Sequence, residues 1–207
     1  MARREAIKAQ TRQRIVDAAR ARFLAEGFDA VSVAAVARDA RVSRRTFFRY
    51  FATKEAAFFA NHEALIATLH QALSAPRPHE SPWQTVRRAL LTCAGACMDQ
   101  RDVLVAQHVA IGASRALGAY DRQLDARWDD AIAAALCRGL PAGGSERRQA
   151  AWLAAALMGV VRGELRAWFE GGGRDDLVAR GAAVLDWMAL MVTGEGQAPA
   201  AALADAA

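Results

Sequence analysis

Along residues 32–54, SVAAVARDARVSRRTFFRYFATK, apolar positions recur at helical spacing in two short blocks. Val33, Val36, Ala37 and Ala40 fall at i, i+3, i+4 and i+7 and make one apolar stripe on a first helix. Ser32 can cap that helix and Ser43 the next, each with a side-chain oxygen that accepts from a free helix N–H. Val42 sits in the turn as a core plug. In the second block Phe47 and Phe51 are four apart and face inward, which leaves Arg44, Arg45, Phe48 and Arg49 pointing out. The pattern reads as helix-turn-helix. A short helix with arginines on its exposed face suits a DNA major groove, because guanidinium binds guanine O6 and N7 with two hydrogen bonds and also neutralises phosphate.

The same reading extends in both directions. Residues 1–10 read as a basic arm, with Arg3, Arg4 and Lys8 free either to track a phosphate backbone or simply to be solvated. Helix one carries Ile15, Ala18, Ala19 and Phe23 on its inner face and ends at Gly27, with Phe28 and Val31 folding back onto the core. Thr53 can cap a fourth helix that runs to about Ser74, with Phe58, Leu65, Leu69 and Leu73 near one face. Pro76, Pro78 and Pro82 break the chain at 75–82, with Ser81 and Pro82 placed to start the next helix. Further helices are expected at about 83–99, 101–112 and 119–138, and a loop at 139–146. Helix eight, apolar nearly all round from Ala150 to Val161, must be covered on two sides and stops at the glycines 171–173. Helix nine spans about 174–193. The tail from 195 is expected to be disordered.

The expected fold is therefore all-α, about nine helices. A three-helix head occupies 1–54, helix four (54–74) joins it to a helical body at 75–194, and 195–207 form the tail. Charge supports the division. Residues 1–54 hold thirteen Lys and Arg against five Asp and Glu, whereas the remainder holds fourteen against seventeen. A basic head on a slightly acidic body is what a DNA-binding module joined to a body clear of DNA should show, although a solvated basic surface gives the same totals.

Two stretches carry a family resemblance: TRQRIVDAARARFLAEGFDAVSVAAVARDA (11–40) and VSRRTFFRYFATKEA (42–56). They resemble the TetR family of transcriptional regulators. The resemblance implies a homodimeric repressor that binds double-stranded DNA at a palindromic operator and is released by an unknown small-molecule effector. The half-sites would lie about 34 Å or a multiple apart. It implies DNA contacts from Ser32, Ser43, Arg44, Arg45, Thr46, Phe48, Arg49, Tyr50 and Lys54, with Lys54 meeting a phosphate at the start of helix four. Three positions depart from the pattern. Arg41 stands in the turn where the family usually has glycine, and φ > 0 there costs roughly 1 kcal/mol. Phe48 replaces a tyrosine whose hydroxyl binds phosphate, so it can offer only apolar contact to a thymine methyl or a sugar. Tyr50 stands where relatives often have histidine.

In the body, Cys97, Met98, His108, Trp128, Trp152, Met158 and Arg162 are candidates to line an effector pocket, although residues of these types are more often simply core or interface. Arg162 and Glu164 are expected to pair with each other or across a dimer. The expected dimer face is Trp152, Leu157, Leu177, Val184, Leu185, Met188 and Met191.

Other chemistry is thinly represented. Cys93 and Cys97 share a helical face, but no histidine lies nearby at metal-site spacing, so they read as small buried hydrophobes. No HExxH, Walker loop, GxGxxG or GxSxG occurs, and His62, His70, His79 and His108 are scattered. No enzyme activity, metal or cofactor is expected. With sparse cysteines, no secretory h-region and no bilayer-length apolar run, a cytoplasmic protein is expected. A ligand-independent regulator, an activator, and an enzyme built on the helical body remain alternatives.

Overall fold

The computed structural model describes residues 2–138, 140 and 144–193, and among them it contains ten helices and no strand. They are α1 (Ala2–Glu26), α2 (Val33–Asp39), α3 (Arg44–Tyr50), α4 (Lys54–Phe58) and α5 (Ala60–Ser74). Then follow α6 (Pro82–Met98), α7 (Arg101–Ala113), α8 (Arg115–Leu136), α9 (Ser145–Glu170) and α10 (Leu177–Thr193). The expected tail and half of the expected 139–146 loop (139 and 141–143) lie outside the described residues.

Two expectations change. The basic arm is helical from Ala2, with Arg3, Arg4 and Lys8 exposed along α1. The single fourth helix divides at Phe59, which makes ten helices where about nine were expected. Phe58 and Phe59 explain the break. Both are buried, yet neighbours on a continuous helix point about 100° apart. At the break Phe58 turns to Phe23 and Phe28, with centroids at 5.9 and 5.8 Å. Phe59 stacks on Tyr120 at 5.2 Å.

Caps fix the helix ends as the sequence signals them. Ser32, Ser43, Thr53 and Ser81 each accept from a backbone N–H three residues on, and Ser81 and Gln84 complete a reciprocal capping box ahead of Pro82. Gly27 ends α1 at φ 81°. Arg41 takes φ 54° without glycine's freedom. Its N–H bonds Arg38 O and that of Val42 bonds Ala37 O, so two otherwise orphaned carbonyls hold a conformation strained by roughly 1 kcal/mol.

The chain forms two compact units: Met1–Ala67 with Asp102–Arg127, and Thr68–Arg101 with Trp128–Ala207. The sequence boundaries at 54 and 75 do not coincide with them, since residues 102–127 join the N-terminal segment. The first unit buries Ile15, Val16, Ala19 and Phe23 of α1 with Phe28, Val36, Phe47, Phe51 and Leu104. Gln107, buried on α7, donates to Phe58 O at the α4–α5 break (2.8 Å).

The second unit packs α6, α9 and α10 around Val86, Leu90, Ile132, Ala154, Leu157, Leu185 and Met188. Its proline-rich loop is closed by one carboxylate. Glu80 accepts from Arg88 Nε (2.8 Å) and Nη2 (2.9 Å), from the Arg77 N–H (2.9 Å) and from Thr85 Oγ1 (3.1 Å). These bonds, the Arg88 guanidinium first, hold the Glu80 pKa down at about 2. Because the folded value lies below the ordinary 4.5, its stabilisation is complete above pH 4.5 and lost as pH falls toward 2. Glu80→Gln is expected to lower Tm by several degrees at pH 7 and to flatten the acid limb. A thermal-unfolding series from pH 7 to pH 2 checks this, and an unchanged acid limb would refute it.

Candidate nucleic-acid interface

The recognition surface is built on two buried phenylalanines. Phe47 is fully buried, Phe51 nearly so, and their centroids lie 5.9 Å apart. Anchoring that stripe leaves the opposite side of α3 to solvent. Arg44, Arg45 and Arg49 are exposed, and among the described residues none of the three is paired with a carboxylate. Arg45, Thr46, Phe48 and Arg49 line one shallow, open depression. Its aromatic member, Phe48, is 47% exposed.

The remaining expected contacts take different positions. Ser43 and Thr46 share a hydroxyl–hydroxyl hydrogen bond of 2.9 Å at the start of α3, and Ser32 caps α2, exposed. Tyr50 is half-buried, with the Arg49 guanidinium 5.3 Å from its ring centroid.

Lys54 has partners within the protein. Its Nζ donates to Phe28 O (2.9 Å) and Val31 O (3.2 Å) and lies 4.3 Å from the Phe28 centroid. Two of its three N–H groups therefore tie α4 to the turn after α1. Both carbonyls lie in the turn after α1, and that of Phe28 also accepts from Val31 N (3.3 Å). Lys54→Met is expected to lower stability by about 1–2 kcal/mol and to leave the salt slope of DNA binding unchanged. Denaturant unfolding and binding at two salt concentrations check both parts. A slope reduced by about one would return Lys54 to the phosphate contacts.

Sequence reasoning missed the groups that orient this surface. Arg22 on α1 forms a two-pronged ion pair with Asp39 at the end of α2 and a second with Glu26 (2.6 Å). Its hydrogen bonds lower the Asp39 pKa and raise that of Arg22. Arg12 places its guanidinium 5.1 Å from the Phe51 centroid. The only sequence signal for either is a charge at the right helical face, seventeen or more residues from its partner.

The expected effector residues divide between the two units. His108 belongs to the first unit. In the second, Met158 lies in the core with Trp128 packed against it, Cys97 is buried, and Met98 Sδ accepts from Leu177 N at 3.5 Å. Arg162 pairs with Asp129 (2.7 Å) and Glu164 with Arg180, so both charges are structural but not partners of each other. Burial pushes the thiols of Cys93 and Cys97 up to about 12 and 11, which keeps them protonated. No group of three or more His, Cys, Asp or Glu placed to hold a metal occurs among the described residues.

The residues expected at a dimer face differ in exposure within the protomer. Leu157, Leu177, Leu185 and Met188 are buried inside the protomer, and Val184 and Met191 are half-buried. Trp152 is 65% exposed. Trp187 (43%) and Leu190 (46%) on α10 are exposed instead. With Ala179 and Ala183 they make a second apolar stripe beside the one that faces the core. On α9, Trp152, Ala155, Ala156, Gly159 and Gly163 form an exposed stripe of the same kind.

A capped two-helix motif displaying unpaired arginines is that of a helix-turn-helix DNA-binding protein. Residues 15–60 match the family model for "Bacterial regulatory proteins, tetR family". That segment, which holds the helix-turn-helix, is similar to the DNA-binding domain of this family. The whole fold is similar to solved members. FadR of Thermus thermophilus, a TetR-family repressor in complex with lauroyl-CoA, aligns at TM-score 0.57 and 23% identity, over 91% of this chain and 98% of its own. NalD of Pseudomonas aeruginosa, the secondary repressor of the MexAB-OprM multidrug efflux pump, aligns at 0.61 and 18%, over 87% and 96%. The fatty acid degradation regulator FadR of Bacillus halodurans aligns at 0.55 and 16%, over 85% and 96%. A comparison with curated protein sequences gives no match. Among the described residues no helix is long and apolar enough to cross a membrane.

Proposed function

We propose that the protein is a homodimeric, cytoplasmic repressor that binds a palindromic operator through α3 and is released by a small-molecule effector held in the helical body. The observation that carries the DNA part is the exposed Arg44, Arg45 and Arg49 face, fixed from behind by Phe47 and Phe51. Support for the dimer comes from the exposed apolar residues Trp152, Trp187 and Leu190, all on α9 and α10. Apolar side chains of that size, grouped on the outside of two packed helices, fit a surface that a second copy covers. A two-fold dimer presents α3 twice, and so calls for an inverted repeat.

Effector release is a coupling free energy: the ligand must bind better to the form whose heads do not fit DNA, and DNA must weaken ligand binding by the same factor. The ligand-bound Thermus relative supports a body that can hold a small molecule. Selection from random-sequence DNA at two salt concentrations tests the operator reading. An enriched palindrome with a steep salt slope is the expected result, and salt-sensitive binding to every sequence alike would overturn it. Release is then tested on the selected operator with a small-molecule panel that includes lauroyl-CoA. An operator complex that no compound weakens, in a protomer that binds none of them, would favour the ligand-independent regulator.

A further inference from the structure

Phe48 is costly where it stands. A phenylalanine 47% exposed beside the exposed Arg44, Arg45 and Arg49 contributes little to the core. Its ring is nevertheless held in place. It meets Phe47 edge to face, centroids 5.5 Å apart and planes at 84°, and Phe47 is itself fully buried. Arg45 lies three residues before it and Arg49 one after, on the rim of the same depression. The helix thus carries a rigid apolar projection bordered by two guanidinium groups.

A major groove has few apolar targets. Base edges there present acceptors and amino donors, and the exception is the C5-methyl of thymine. Phe48 has no hydroxyl and can neither donate to phosphate nor accept from an amino group. We infer that Phe48 is a specificity-determining residue that reads a thymine methyl in each half-site, between the bases that Arg45 and Arg49 contact. This rests on the proposed operator binding and deepens it. The half-site then holds a thymine beside the guanines suited to arginine, and the selection is for a methyl group, not for a hydrogen-bonding pattern.

The test separates the methyl from everything else about the base. On the selected operator, each thymine is replaced in turn by uracil, which removes only the methyl and leaves pairing and hydrogen-bond groups intact. One symmetric position is expected to weaken wild-type binding about fourfold per half-site, the effect of one buried methyl-sized group. Phe48→Ala is expected to bind the thymine and uracil operators equally. Phe48 is exposed, so the variant is expected to keep the wild-type Tm. Equal binding of wild type to thymine and uracil operators at every position overturns the inference and leaves Phe48 against a sugar. A thymine preference that survives in Phe48→Ala overturns it as well. Failure to enrich any operator in the first place overturns the operator reading itself, a result distinct from a palindrome that is insensitive to uracil.

Discussion

In the proposed dimer, replacing Trp187 and Leu190 together by glutamate is expected to give a monomer and to weaken operator binding roughly 100-fold or more. Both residues are nearly half exposed and lie three apart on one face of α10, so neither substitution empties the protomer core. Across a two-fold axis the same patch meets itself, so the substitution brings four new carboxylates into one interface. Desolvating like charges there is unfavourable, whereas in the free protomer the same glutamates are solvated. The loss of DNA affinity follows from geometry. A dimer binds its second half-site at the high effective concentration set by the first, and a monomer forfeits that gain. Mass by light scattering and operator titration read the two effects separately. A variant that stays dimeric at micromolar concentration would place the interface elsewhere, and Trp152→Glu on α9 would then show whether the neighbouring stripe carries it.

That interface shows where sequence reading reached its limit. The head was legible because its determinants are local. Ser32, Ser43 and Thr53 cap helices whose free N–H groups lie three residues away, and the Val33–Val36–Ala37 and Phe47–Phe51 stripes close over one or two turns. Arg41 announced a strained turn by standing where a left-handed residue was required. In α9 and α10 apolar residues lie on more than one face, and periodicity cannot say which face meets the protomer's own core. Leu157, Leu185 and Met188 took the core, leaving Trp187 and Leu190 outside. Polar partners were hidden for the same reason. Arg162 finds Asp129 thirty-three residues away, and Lys54 finds carbonyls at distances of twenty-six and twenty-three. A residue with strong local signals for phosphate contact turns inward because the turn after α1 brings two backbone carbonyls within its reach.

The contrast between Lys54 and Arg45 gives the second large effect. Arg45→Ala is expected to cost about 1–3 kcal/mol per half-site and to relax preference at one operator position. Arg45 is exposed on α3, unpaired in the free protein, and lies on the rim of the depression that includes Phe48. Its guanidinium is therefore free to make a bidentate contact with a base, and each such contact carries roughly the same 1–3 kcal/mol of discrimination. Because the proposed dimer presents two copies of α3, a single substitution acts on both half-sites, and the cost doubles while the unfolding midpoint stays put. Lys54→Met should show the reverse: lower stability with the operator preference intact. Titration of Arg45→Ala against the operator and its single-base variants gives the discriminating pattern. If affinity falls by the same factor on every sequence, Arg45 neutralises phosphate, and base reading passes to Arg44 or Arg49. If one position loses its preference while the others keep theirs, Arg45 faces that base in the groove.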